Sequence, residues 1–363
     1  MAKGFGRAQR RREKLEVSMD RLRPLNELIP WEVFNECLAA LEKKERKSNA
    51  GRKPIERLQL FKMLILQQLY NLSEDQTEYQ IHDRASFRRF VGLAPDQEVP
   101  DSKTVWLFRQ VLTNTGLIDE LFERFSEFLN TSGYQAQGGQ IIDATIIPVP
   151  IQRNSKEENK QIKAGEQPPD WSSQPHKLSQ KDTDARWTKK NNTSYFGYKD
   201  HVNIDAKHKF IRVHAVTDAS VHDSKMFAQV LDIDNEADDI WADSAYSSVN
   251  VEAVLAILGY ISHIHERGYR NHPLNEEQKV ANRERSKTRA RVEHVFGYWV
   301  TSMGGKRVRY IGIERVRAHQ GLKALSYNLS RYVFLQQQAT KAWTIGGVWL
   351  SSTIKHPSIL WWG

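Results

Sequence analysis

The chain has 363 residues, 39% of them hydrophobic and 27% charged, and its 53 lysines and arginines against 44 aspartates and glutamates leave a formal charge of +9. That length supports two or three domains and a sizeable core, the composition excludes a disordered or fibrous chain, and the single Cys37 excludes a disulfide framework or a cysteine-built zinc site. Any metal must sit on carboxylates or histidines, and a chain that opens on arginines and has no long apolar run is expected to be soluble and intracellular.

Residues 1–20 read as a basic arm, with Lys3, Arg7, Arg10, Arg11, Arg12 and Lys14 near its start. Such arms neutralise phosphates without reading sequence. Residues 21–135 read as an all-helical unit. A basic loop carries Lys43, Lys44, Arg46, Lys47, Arg52 and Lys53 around Gly51 and Pro54, and Leu58, Phe61, Leu64, Ile65 and Leu69 then recur at helical spacing. Asn71-Leu72-Ser73 breaks that helix, Glu74 and Asp75 open the next, and Arg88 and Arg89 follow in Ser86-Phe87-Arg88-Arg89-Phe90. A helix-turn-helix-like DNA-binding unit and a plain bundle with surface charge fit this periodicity equally.

After Gly138-Gly139 the pattern turns to strands, at 140–149, 195–204, 210–217, 239–243 and 260–264, interleaved late with helical patterns at 249–258 and 286–300. The expectation is an α/β unit over 136–340: a mixed β-sheet flanked by helices. Within it, 153–194 is polar, lysine-rich and nearly free of aliphatics, and reads as an exposed loop ordered on a partner. Residues 341–363 carry Trp343, Trp349, Trp361 and Trp362 and read as a packing or partner surface, too short and interrupted for a membrane span.

Three acids stand out. Asp143 interrupts the apolar run Ile141-Ile142-Asp143-Ala144-Thr145-Ile146-Ile147, where an unpaired charge is costly, so either a paired arginine, a wet edge or a site must compensate it. Asp243 closes a short strand, where a helix N-cap is the ordinary explanation. Glu293 borders a stripe of Val292, Val295, Phe296, Trp299 and Val300, and Arg289 four residues earlier offers an ordinary ion pair. As a set, with spacings of 100 and 50 residues on a mixed sheet, they offer more than each alone. Three crowded carboxylates repel, and two divalent ions about 3.5–4 Å apart relieve that repulsion while driving an in-line phosphodiester displacement.

The surrounding motifs are more specific. They are Ile-Ile-Asp143-Ala-Thr, Asp184-Ala185-Arg186-Trp187-Thr188-Lys189-Lys190, Tyr195-Phe196-Gly197-Tyr198-Lys199-Asp200-His201 and Val216-Thr217-Asp218-Ala219-Ser220-Val221-His222-Asp223-Ser224. Ala242-Asp243-Ser244-Ala245-Tyr246 and Arg289-Ala290-Arg291-Val292-Glu293-His294-Val295-Phe296-Gly297 complete them. From about residue 51 to about 335 the chain resembles bacterial insertion-sequence DDE transposases of the insertion sequence 5 group, whose catalytic domain is RNase H-like.

The resemblance implies a catalytic and metal-binding triad of Asp143, Asp243 and Glu293 holding two Mg²⁺ ions, for which Mn²⁺ substitutes. It implies a partner in double-stranded DNA, both element ends and target, an active assembly of two or more protomers, no membrane, and a cytoplasmic, nucleoid-associated location. Arg289 matches the arginine that contacts DNA phosphate or orients the triad. Relatives carry a tyrosine and a lysine where this chain has Ser286 and Val300, leaving Lys306 or Arg307 to replace that lysine. Phosphate contacts are also expected from Arg285, Lys287, Arg291, Lys189, Lys190, Lys199, Arg52, Lys53, Arg88 and Arg89. His201 belongs to the same basic strand. His222-Asp223 reads either as a phosphate- or proton-handling pair or as a helix-start turn capped by Ser220. The activity implied is cutting at terminal inverted repeats followed by strand transfer. A nuclease of the same fold that never joins ends, and a non-catalytic DNA-binding regulator descended from a transposase, are the alternatives.

Overall fold

The structure, a computed structural model, describes residues 9–11, 14, 15, 19–41 and 55–345, without the side chains of 341–345. Most of the basic arm, the loop with Arg52 and Lys53, and the tail from 346 onward lie outside the described residues.

Helices α1 (Leu22–Leu28) and α2 (Asn35–Ala39), separated by a 3-10 turn at Trp31–Phe34, lead to α3 (Arg57–Tyr70). The break read at Asn71-Leu72-Ser73 has a clear cause: Asn71 takes a left-handed conformation (φ 51) that ends α3. Ser73 then starts α4 (Glu74–Asp83), with a reciprocal capping box to Gln76. Helices α5 (Ala85–Val91), α6 (Ser102–Thr115, capped by Asp101) and α7 (Leu117–Thr131) complete the helical region. Phe34, Phe61, Phe87, Phe90 and Phe125 are its largest fully buried aromatic side chains.

The sheet is mixed, as expected. β1 (Gln140–Pro148) pairs antiparallel with β3 (Thr193–Asp205) on one side and parallel with β5 (Asp239–Ala242) on the other. β6 (Ile261–Ile264) extends the sheet parallel to β5, while β4 (Ile211–Asp218) and the short β2 (Arg186–Lys190) share the far edge of β3, both antiparallel. Asp143 lies opposite Val202 of β3, and Ile142 opposite Ala242, so the residue after β5, Asp243, falls beside Asp143.

Two expectations are corrected. Residues 153–194 are not a featureless loop. Helices α8 (Lys156–Lys163), α9 (Pro169–Ser172) and α10 (Pro175–Leu178) fold around the fully buried Trp171, whose indole N–H donates to Glu158 Oε1 at 2.7 Å. One tryptophan and Ile162 supply the core that the near absence of aliphatics seemed to deny. β2 then turns into β3 through Asn191 and Asn192, both at positive φ, the geometry a tight hairpin favours.

The second correction concerns the helix expected at 286–300. Two helices follow α11 (Val249–Leu258) in this part of the chain, α12 (Glu276–Arg289) and α13 (Glu293–Thr301), joined by a tightened turn in which Arg291, Val292 and Glu293 donate to carbonyls three residues back. The buried stripe therefore keeps Val292, Val295 and Trp299, whereas Val300 is 51% exposed.

The chain then forms α14 (Ile313–Ile345), which packs on β4 and on α1, α3, α6 and α7. One hydrophobic core consequently runs from Phe34, Phe61 and Phe125 through Leu322, Leu325 and Leu329 to Val202 and Ile204. No helix among the described residues is long and apolar enough to cross a membrane.

Candidate active site

Asp143 has 14% of its side chain exposed, in the middle of β1. Its Oδ2 accepts from Arg289 Nη1 at 2.9 Å and its Oδ1 from the backbone N–H of Ala144 at 2.8 Å. Burial, then the Asp243 carboxylate, push the Asp143 carboxyl up from 3.8 to about 6, against the pull of Arg289, the Ala144 N–H and Lys190. Asp243 is held by a local turn: its Oδ1 accepts from Ala245 N at 2.9 Å and its carbonyl from Tyr246 N at 3.1 Å. The N-cap of α11 is Ser248, so capping does not explain Asp243.

Glu293 is not brought into this pair. It is exposed at the first position of α13 and makes no ion pair with Arg289, whose guanidinium turns to Asp143 instead. Among the described residues no three histidine, cysteine, aspartate or glutamate side chains are gathered closely enough to hold a metal ion. The donor chemistry of the aspartate pair nevertheless fits a hard divalent cation: two carboxylates raise each other's energy, and a cationic side chain already compensates one of them.

Cationic groups surround Asp143. Lys306 donates to Thr145 Oγ1 at 2.6 Å and lies 4.8 Å from the Phe296 ring centre. Burial and the charge of Lys190 lower its pKa, while Asp143 raises it. Gly304 sets this loop against the helical region: at φ +70, a Cβ there would meet Asn71 Cβ at 2.5 Å, and Asn71 Nδ2 donates to its carbonyl at 2.9 Å. Lys189 and Lys190, next to the β2–β3 turn, and Arg307 are exposed.

Several expected phosphate contacts are engaged within the fold. Lys199 Nζ donates to Asp223 Oδ1 at 2.8 Å and to the Val221 carbonyl at 2.7 Å, and His201 is fully buried against Thr217 Oγ1 at 3.0 Å. Lys199 is held by those two bonds and His201 by its burial, so both are committed within the fold rather than presented to a phosphate. Arg88 donates to the carbonyls of Ala94, Pro95 and Gln97, which pins the loop after α5. Arg89 pairs with Asp20, Arg285 with Glu266, Lys287 with Glu284, and Arg291 Nη1 donates to the Ala206 carbonyl at 2.8 Å. His222 is itself the cap expected of Ser220: its Nδ1 accepts from Ser224 N at 3.4 Å, and Asp223 opens a 3-10 turn (Asp223–Gln229).

Two further residues lie near the pair and are not among the candidates read from the sequence. His265 follows β6, 3.3 Å from Ser286 Oγ, and its pKa is lowered by burial and by Arg289, with Asp243 pulling the other way. Tyr246 is fully buried with an unpaired hydroxyl. Its place in the motif, three residues after Asp243, was the available clue.

Residues 134–329 match the family model described as the transposase DDE domain, and residues 9–111 match the one described as a transposase domain, DUF772. The chain is also similar to a solved structure described as the cryo-EM structure of the piggyBac transposase synaptic complex with hairpin DNA. That similarity has a TM-score of 0.46 and 11% identity and covers 89% of this chain and 76% of that one.

Proposed function

The chain belongs to the transposase family defined by the DDE domain, and from that premise we propose that it binds the terminal inverted repeats of an insertion sequence, cuts the DNA and joins the freed 3′ ends to a target. The observation that supports this reading most is the pairing of Asp143 and Asp243 at adjacent strands, with the charge of Arg289, Lys190 and Lys306 around them. Asp143 and Asp243 would hold Mg²⁺, with Mn²⁺ serving in its place, and Glu293 is the third carboxylate of the proposal by its position in the motif. Divalent cations at such a site activate the attacking oxygen and stabilise the leaving oxygen of a phosphodiester. Lys189, Lys190 and Arg307 would meet DNA phosphates, and Lys306 would orient one beside Thr145. Two ends require at least two protomers, acting in the cytoplasm at the nucleoid. The insertion sequence 5 group is the proposed branch of the family.

The test uses purified protein, labelled element ends and a target plasmid. Wild type should nick in Mg²⁺ and join pre-cut ends; Asp143→Asn and Glu293→Gln should retain end binding and lose both steps. Cutting by Asp143→Asn overturns the site, and cutting without any joining replaces the transposase reading with a nuclease.

A further inference from the structure

Tyr246 ends the turn that begins at Asp243, its N–H donating to the Asp243 carbonyl at 3.1 Å. Its ring is fully buried with Ile142, Phe227, Ala242 and Leu255, the Phe227 centroid 6.2 Å away. Its hydroxyl has no hydrogen-bond partner, although the charges bearing on it are those of Asp223, Asp143 and Asp243. A buried O–H without an acceptor is destabilising, and a phenol packed this tightly has no need of one for packing. His201 Nδ1, likewise without a hydrogen-bond partner, lies 4.0 Å from the carboxylate of the same Asp223. An unspent donor among three acids, at the end of the turn carrying Asp243, is what a positioning residue requires.

We propose that Tyr246 positions the Asp143–Asp243 pair: its hydroxyl donates into this acid group when a divalent cation is bound, steadying the Asp243 turn. The inference rests on the proposed reading of the two aspartates. The full-length protein and its Tyr246→Phe variant should be compared by Mn²⁺ titration and by melting of the metal-free form. The expected result is Mn²⁺ binding weakened at least threefold, with a metal-free melting temperature equal to or above wild type, because the variant loses only an unpaired hydroxyl. Equal Mn²⁺ affinity in the two proteins overturns the inference alone, as does a metal-free variant that melts well below wild type, since the hydroxyl is then structural. Wild type that takes up no Mn²⁺ overturns the two-aspartate reading together with this inference.

Discussion

Arg289 donates to Asp143 across 146 residues of sequence, at 2.9 Å, while Glu293, four residues beyond it, is left without that partner. The arginine of the motif thus stabilises the first acid, and the i, i+4 pair that helical spacing suggested does not form. The turn between α12 and α13 accounts for this: Arg289 ends one helix and Glu293 starts the next, and the i→i+3 bonds between them replace the continuous helical spacing that an i, i+4 pair needs.

Replacing Arg289 by glutamine should leave the Asp143 carboxylate unpaired. The pair is partly exposed, 22% and 14%, so the cost at pH 7 is about 2 kcal/mol rather than the larger value of a fully buried pair. Below pH 4, where Asp143 is protonated in both proteins, the difference should shrink. Urea unfolding at the two pH values measures it.

The pH dependence of the metal-free protein has a definite sign. Asp143 titrates near 6 when folded against 3.8 when free, so its contribution is fully present below about pH 4 and is lost as pH rises through 6. A shift of this size corresponds to about 3 kcal/mol. Asp143→Asn lacks the effect, and its stability relative to wild type should rise by that amount between pH 4 and pH 7. A gap that stays flat contradicts the raised carboxyl.

Arg88 and Lys190 should separate structure from DNA contact. Arg88→Ala removes the donor to three loop carbonyls and should cost about 1–3 kcal/mol of stability. The salt dependence of DNA binding should not move. Lys190→Ala should leave stability unchanged and reduce the slope of log affinity against log salt by about 1. Filter binding across a salt series distinguishes them.

Trp171→Ala should cost about 3 kcal/mol, confined to residues 156–178, because Trp171 and Ile162 are the buried apolar side chains of that segment. Hydrogen exchange should show protection lost there and kept in β1 and β5.

β1 and β3 to β6 are legible because Ile141, Ile142 and their counterparts alternate or run apolar between clear breaks, whereas the polar β2 lies inside the segment that reads as a loop; the Asn71–Ser73 punctuation marks a helix end. The structure of 153–194 is not legible because one tryptophan organises a small core that a count of aliphatics overlooks. Asp143 is marked by its cost in an apolar strand, whereas Asp243 alone reads as a helix N-cap and stands out only as one of the three acids; their partnership requires the β1–β5 register. The placement of Glu293 was not legible, since three i→i+3 bonds divide what the periodicity shows as a single helix. The engagement of Lys199 and the burial of His201 depend on where Val221 and Asp223 lie against β3, a tertiary fact with no local signature.

The continuous core through α14 has a consequence for any shortened form of the chain. Phe125 and Phe128 of α7 meet Tyr332 of the last helix, against which α7 packs. A fragment ending before β1 would open that apolar face to water. Such a product would aggregate or be degraded, so the helical half depends on the last helix of the chain for its solubility as well as its packing.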